Sequence, residues 1–267
     1  MGKTGLLEKA PLVGVFFMSA IWLSSAEALC PSSVDLPVAQ VQKVVDGDTL
    51  RLTDGRSVRM IGLNTPETGK NGRSAEPFAE AARRRLQALV DESAGRVSLR
   101  VGRQSRDHYG RTLANVYGRN GDNFEAQLLS EGLGYQVAIA PNVELVECQR
   151  DAEQVARRAK LGVWRNSPVR SVAAISQSGF SVVAGQVRKV ERNGGGLWIE
   201  LKGSLVLRIE PRLLDQFDVS VLQRLAGQRI EARGWLVDRS RRGGLKPGQA
   251  RWLMPLTHPA MLSPVGG

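Results

Sequence analysis

Twice along this chain the same order of local signals recurs: three short strand-like runs, a helical stretch, then two more strand-like runs. In the first pass, residues 38–45 alternate weakly between apolar and polar side chains. Residues 50–52 and 57–63 extend the pattern, with Asp54-Gly55 marking the turn between them. A helix is predicted from Ser74, with Pro77 tolerated in its first turn and Phe78, Ala82, Leu86, Leu89 and Val90 recurring at helical spacing. Residues 96–101 place Val97, Leu99 and Val101 on one face against Arg96, Ser98 and Arg100 on the other, and residues 113–117 read as a further strand. Two more helices follow, 123–131 stopped by Gly132 and 144–161 stopped by Gly162.

The second pass begins after residues 166–178, a Ser- and Pro-containing stretch that reads as a linker. Residues 185–190, 197–201 and 204–209 read as strands, 211–225 as a helix, and 229–237 and 250–256 as two more strands. Local text repeats as well: Val41-Gln42-Lys43-Val44 is echoed by Val187-Arg188-Lys189-Val190. Three strands, a helix and two strands is the order of a five-stranded OB barrel. The expected fold is therefore mainly β with helices (α+β), with an OB-type barrel plus helices over 38–165 and a second OB-like barrel over 179–262.

The first 28 residues predict a signal peptide and export from the cytosol. Lys3 and Lys9 precede or flank an apolar run from 10 to 23, and Ala26-Glu27-Ala28 offers a small-x-small cleavage pattern. The run is shorter than the about 20 residues that a spanning helix needs, so no stable membrane insertion is expected once it is removed. Leu29 stands before Cys30 where a lipid-attachment signal wants a small residue. In an oxidising compartment, Cys30 and Cys148 are expected to form one disulfide, and neither has the spacing of a zinc site or a redox pair. Lys and Arg number 37 against 26 Asp and Glu, a formal charge of +11, which favours polyanionic partners without naming one.

The densest cluster of chemistry-bearing residues is Asp46-Gly47-Asp48-Thr49, then Arg59 with Asn64-Thr65-Pro66-Glu67, then Asp107-His108-Tyr109-Gly110-Arg111. Asp46 and Asp48 flank a glycine at a strand end, where their oxygens could converge on a hard cation. Asn64 and the carbonyl of Thr65, at the end of a neighbouring strand, could complete the shell. Arg59 and Arg111 supply two guanidinium forks suited to a phosphate. Glu67, past a proline turn, is placed to orient or deprotonate a water. A metal, two arginines and a glutamate suit phosphoryl transfer, which needs charge stabilisation and alignment above all. Taken singly each piece has a plainer meaning: Asp-Gly-Asp is usually a hairpin turn, and a strand arginine usually surface charge. Their occurrence together and in this order carries the reading.

Asp-Gly-Asp-Thr, Arg-x4-Asn-Thr-Pro-Glu and Asp-x-Tyr-Gly-Arg together resemble the pattern of the thermonuclease, or staphylococcal nuclease-like, family over about residues 40–165, down to the closing Leu161-Gly162-Val163-Trp164. The resemblance implies one calcium ion and hydrolysis of DNA and RNA at the 5′ P–O bond, leaving 3′-phosphate ends. It implies Arg59, Glu67 and Arg111 as catalytic residues and Asp48, Asn64 and Thr65 as metal ligands, with Asp46 next to the shell. Tyr109 matches an aromatic that helps bind the nucleotide. Two departures stand out. The archetype has an aspartate where this chain has Asn64, so one ligand charge is lost. It also has a pair of tyrosines where residues 136–141 have none; Tyr135 lies near but out of register.

A non-catalytic, tandem-OB protein that holds nucleic acid is the alternative, and the intact set of Arg59, Glu67, Arg111 and Asp48 argues against it. The protein is expected to be a monomer. His108 reads as a solvated turn residue, and Arg83-Arg84-Arg85 as a solvated helix face. The second barrel offers Asn193-Gly194-Gly195 where the first has Asp46-Gly47-Asp48, so no second active site is expected there. Its strand tryptophans, Trp198, Trp235 and Trp252, read as core. Arg239, Arg241, Arg242 and Lys246 read as a basic loop that adds affinity, which predicts that deleting residues 170–267 raises KM and leaves kcat almost unchanged.

Overall fold

The computed structural model describes residues 2, 29–32, 35–69, 72, 74–241, 245–246 and 248–265. The expected signal segment, apart from Gly2, lies outside the described residues, and so does Arg242. Among the described residues no helix is long and apolar enough to cross a membrane.

The elements run in the order β1 (Val38–Asp46), β2 (Thr49–Leu52), β3 (Ser57–Met60), β4 (Leu63–Asn64), α1 (Ala79–Glu92), β5 (Arg96–Arg106), β6 (Thr112–Tyr117), α2 (Phe124–Ser130), β7 (Tyr135–Gln136) and α3 (Val146–Ala159). They continue as β8 (Val169–Ser171), β9 (Gly179–Asn193), β10 (Gly196–Leu201), β11 (Leu205–Ile209), α4 (Val219–Gln223), β12 (Arg229–Asp238), β13 (Trp252–Leu256) and β14 (Leu262–Pro264). Strands β1-β2-β3-β6-β5 close into a barrel in which β3 and β6 run parallel and the other neighbours antiparallel. Strands β9-β10-β11-β13-β12 repeat that order. Pairing of β12 with β9 closes the ring, and β11 with β13 is again the parallel pair. The protein is thus two OB-like barrels in tandem with helices between and beside them.

Period-two alternation builds both interiors. On β3, Val58 and Met60 are buried while Ser57 and Arg59 face outward; on β10, Leu197, Ile199 and Leu201 are buried while Trp198 and Glu200 face outward. The first core gathers Leu50, Leu52, Val58, Met60, Leu99 and Val116 with Leu86 and Leu89 of α1. Truncating one of these leucines to alanine costs about 2–5 kcal/mol, because the cavity adds to the lost transfer energy. The second core takes in Ala138 and Val146, which precede the second barrel's strands, so the barrels share packed apolar surface.

The structure departs from the sequence reading at four places. Helix α1 starts at Ala79 rather than Ser74, with Phe78 before it at φ +70°. The 211–225 helix is two pieces, a 3-10 turn Pro211–Gln216 and α4, because Asp218 caps a new start by accepting from the N–H groups of Ser220 and Val221. The segment 166–178, read as a linker, contributes β8, which pairs parallel to β9. Of the three strand tryptophans only Trp252 is buried in the core; Trp198 is half-buried and Trp235 is 36% exposed.

The barrels meet across α3. Glu153 of α3, 0% exposed, receives Arg233 of β12 at 2.6 Å, and Arg233 also donates to the Gln136 carbonyl of β7 at 3.2 Å. Glu153 in turn accepts from the Gln136 N–H at 2.7 Å. One turn along α3, Arg157 donates to Glu231 of β12 at 2.8 Å. Every charge in this buried group has a partner of opposite sign, which makes its burial tolerable. A disulfide joins Cys30 to Cys148 at the start of α3, across 118 residues of sequence.

Candidate active site

The hairpin between β1 and β2 is closed by Asp46 opposite Thr49, leaving Gly47 and Asp48 as its two-residue loop. Asp46 Oδ1 accepts the Asp48 N–H at 3.2 Å, an Asx turn that fixes the loop. Gly47 is needed for close approach: a Cβ there would meet Ala82 at 2.6 Å and the Thr65 hydroxyl at 2.8 Å. The hairpin is thereby pressed against the start of α1 and against Thr65.

Asp48 is buried and fully engaged. Its Oδ2 accepts the Thr65 N–H at 3.0 Å and pairs with Arg59 Nη2 at 3.0 Å, while Oδ1 accepts the Thr49 hydroxyl at 3.1 Å. Arg59, with its side chain 14% exposed, also donates through Nη1 to the carbonyls of Met60 at 3.0 Å and Leu63 at 2.9 Å. Its Nη2 lies 3.4 Å from Asn64 Oδ1. Two backbone carbonyls therefore aim the guanidinium at the Asp48 and Asn64 oxygens. Gly62, at φ +84°, makes the turn between β3 and β4, where a Cβ would run into Gln149 of α3 at 1.8 Å. Beyond it β4 pairs with β7, Leu63 opposite Gln136 and Asn64 opposite Tyr135.

Burial, and then the neighbouring Asp48 charge, push the Asp46 carboxyl up to about 6. The Asp46 and Asp48 carboxylates and the Asn64 amide oxygen are hard oxygen donors of the kind that a divalent cation takes. Among the described residues no three or more His, Cys, Asp or Glu side chains could hold an ion together, so a cation here would rest on two acids and neutral oxygens.

Arg111 and Glu67 flank this cluster. Arg111 immediately precedes β6, where Leu113 lies opposite Arg59, so the two arginines lie on adjacent strands. Asp107 orients Arg111: Oδ2 takes its Nε at 2.7 Å, and Oδ1 takes the N–H groups of Tyr109 at 3.0 Å and Arg111 at 2.9 Å. Tyr109 is 74% exposed, its ring 5.5 Å from the Arg111 guanidinium carbon and stacked near His108. Arg51, Arg56, Arg106, Tyr109 and Arg111 line an open cleft of about 570 Å³. Glu67 is exposed, and its backbone is held by Glu76, which accepts the Glu67 N–H at 2.9 Å and donates its own N–H to the Glu67 carbonyl.

Residues 57–166 match the family model described as staphylococcal nuclease homologue. The chain is 34% identical over 131 residues to the thermonuclease of Staphylococcus hyicus, a stretch covering 48% of this chain and 75% of that protein. The chain belongs to the staphylococcal nuclease family. It is also 35% identical over 129 residues to the SPbeta prophage-derived endonuclease YokF of Bacillus subtilis, covering 46% of this chain and 43% of that one. Against endonuclease YncB of the same organism the figures are 34% over 132 residues, 48% and 61%. These matches span less than half of this chain.

The structure brings Asp46 and Asp48, which precede the matched residues 57–166, into one bonded cluster with Arg59, Asn64 and Thr65, and it sets Arg111 with Tyr109 in a cleft lined by both. Several supporting residues escaped the sequence reading. Glu76 holds the Glu67 backbone through bonds that no motif announces. Glu125 of α2, fully buried, accepts the Val116 N–H at 2.9 Å, and burial pushes its carboxyl up to about 8 despite the Arg59 charge nearby. Asp107 was visible as part of Asp-x-Tyr-Gly-Arg, but its work on Arg111 shows only in three dimensions.

Proposed function

We propose that the protein is an exported, calcium-dependent nuclease that hydrolyses phosphodiester bonds of DNA and RNA at the 5′ P–O bond, leaving 3′-phosphate ends. The observation that carries this reading is the Arg59 guanidinium, fixed by two carbonyls against a buried Asp48 beside Asn64 and Thr65. Asp48, Asn64 and the Thr65 carbonyl would hold the calcium, with Asp46 adjacent; the ion would supply positive charge opposite the scissile phosphate. Arg59 and Arg111 grip non-bridging phosphate oxygens and stabilise the charge that builds on them. Glu67, exposed to solvent, orients the attacking water and takes its proton. Tyr109 offers an open face to the adjoining nucleotide. The Cys30–Cys148 disulfide supports an oxidising compartment, in line with the expected signal peptide. A monomer satisfies these roles, since all of the site residues come from one chain.

A zymogram of the purified protein on DNA and on RNA, with calcium and with chelator, tests the proposal. Clearing in calcium and none in chelator is expected. Binding without cleavage in calcium would replace it with the tandem-OB binding protein, and cleavage that survives thorough chelation would remove the ion.

A further inference from the structure

Tyr135, Phe180 and Trp235 form an aromatic row that starts beside the ion-binding cluster and crosses onto the second barrel. Tyr135 lies opposite Asn64 in the β4–β7 pair. Its ring is 5.1 Å from Phe180, and Phe180 is 5.3 Å from Trp235, its cross-strand partner on β12. The other flank of Tyr135 meets the edge of Trp164 at 5.6 Å. Trp164 is buried at the joint, under the Arg157 guanidinium. Exposure rises along the row away from it: Tyr135 and Phe180 are half-buried and Trp235 is 36% exposed. Residues that only sealed the joint would be covered as Trp164 is. On β12 the inward-facing neighbours Gly234 and Leu236 fill the barrel, which leaves Trp235 pointing outward.

We propose that this row is a stacking track for the bases of a single nucleic-acid strand running from the cleavage site onto the second barrel. The inference rests on the nuclease reading and extends it to Phe180 and Trp235, which lie outside the matched residues 57–166. Three features select this occupant. Tyr135 lies directly opposite Asn64 across the β4–β7 pair, so the row begins one strand from the candidate site. The protein carries a formal charge of +11, which favours a polyanionic occupant. Tyr135, Phe180 and Trp235 each keep part of their surface exposed, and bases stack on an aromatic ring regardless of sequence. The track takes the place of the tyrosine pair that residues 136–141 lack.

The test uses the full-length, oxidised protein and fluorescent single strands of ~20 nucleotides, one intact and one with abasic sites flanking the cleavable step. The same phosphates are present in both, so only stacking separates them. Trp235→Ala is expected to weaken binding and raise KM for the intact strand about tenfold, and to shift the abasic strand much less. The salt slope of binding should stay the same, since no phosphate contact is lost. Trp235→Phe should restore most of the affinity. Anisotropy in chelator reads the track without turnover, so a protein that binds but does not cut would defeat the nuclease reading and leave the track standing. Equal losses on intact and abasic strands, or no loss on either, would overturn it. So would unchanged binding with a changed monomer–dimer equilibrium in sedimentation, because the face would then belong to a second copy.

Discussion

The two barrels share a topology and even a turn, yet among the described residues the candidate site belongs to the first. In the first, Asp46 faces Thr49 and its side chain accepts the N–H two residues on at 3.2 Å; in the second, Asn193 faces Gly196 and does the same at 2.8 Å. The backbone solution is identical. The difference lies in what the loop then presents. Position 48 offers a carboxylate, and position 195 offers hydrogen. Across the sheet Arg59 pairs with Thr49, whereas one step on from Leu197 opposite Ile209 sets Gly196 against Glu210, an acid already engaged by Arg212 at 2.8 Å. Counterparts of Asp48 and Arg59 are both missing at these positions, so the second barrel repeats the fold without the residues of the candidate site. A hairpin of this kind forms without the side chains that would make a site of it.

The strongest way to break the comparison is at the joint, where the second barrel ceases to be an accessory. Arg233→Ala leaves Glu153 buried without its guanidinium and should cost about 3–5 kcal/mol in denaturant unfolding, whereas Arg233→Met with Glu153→Leu should recover most of it. A loss below about 1 kcal/mol for the single change would mean that the barrels fold independently. By the same argument, deleting residues 170–267 should give a destabilised protein with a disturbed β4–β7 pair, and not the simple rise in KM that a free-standing second domain predicts.

Catalytic substitutions sharpen the contrast from the other side. Arg59→Ala, Arg111→Ala and Glu67→Ala should each lower kcat by about 10² or more. Arg111→Ala and Glu67→Ala should melt close to the parent, whereas Arg59→Ala also leaves buried Asp48 unpaired and should melt lower. Arg208→Ala, on the outer face of β11, should leave kcat within about twofold. Near-parental kcat in any of the first three would take that residue out of the mechanism. At the ion site, Asn64→Asp should move the calcium midpoint several-fold lower by restoring a charged ligand, while Gly195→Asp should create no calcium binding in the second barrel. Isothermal titration of both variants decides, and a midpoint for Asn64→Asp that is unchanged or higher would argue against Asn64 as a ligand.

The smallest effects are in pH dependence, where one buried glutamate from each barrel behaves oppositely. Burial raises Glu125 from its ordinary 4.5 to about 8, so the folded state holds a proton that the unfolded chain has released. Its contribution is fully present below about 4.5 and is lost as pH rises toward 8. For Glu231 burial also acts to raise the carboxyl, but Arg157 and Arg233 outweigh it and hold it below the ordinary value. Its contribution is present above the unfolded value and is lost as pH falls through the lowered one. Glu125→Gln should flatten the stability profile between pH 5 and 8, and Glu231→Gln the acid limb. Unaltered limbs in both would show that neither group titrates as described.

Most of the fold could be read because it is written in local signals. Alternation at Val97, Leu99 and Val101, turn pairs such as Asp54-Gly55, and the Gly132 stop each act within a few residues. The bonded site was legible for a related reason, since Asp48, Arg59, Asn64 and Thr65 fall on one short meander. The short strand β8 left no trace because three residues carry no period. The α4 break was hidden by a continuous apolar pattern that an aspartate interrupts without changing. The Arg233–Glu153 pair and the Tyr135–Phe180–Trp235 row join residues tens of positions apart, and each side chain alone looks like ordinary surface or core. Long-range partners of this kind exist only once the topology has brought them together.

Helix α3 is gripped at successive turns by everything around it. Cys148 is bonded to Cys30, Gln149 donates to the Ile61 carbonyl at 3.2 Å, Glu153 takes Arg233, and Arg157 takes Glu231. A helix bolted on both sides leaves no hinge between the barrels, so the molecule has no jaws to shut on a strand. For the nuclease proposed above, this rigidity predicts turnover at the pace of the chemistry and of simple product escape. It also predicts cutting inside a long strand, since no free end has to be threaded into the proposed site.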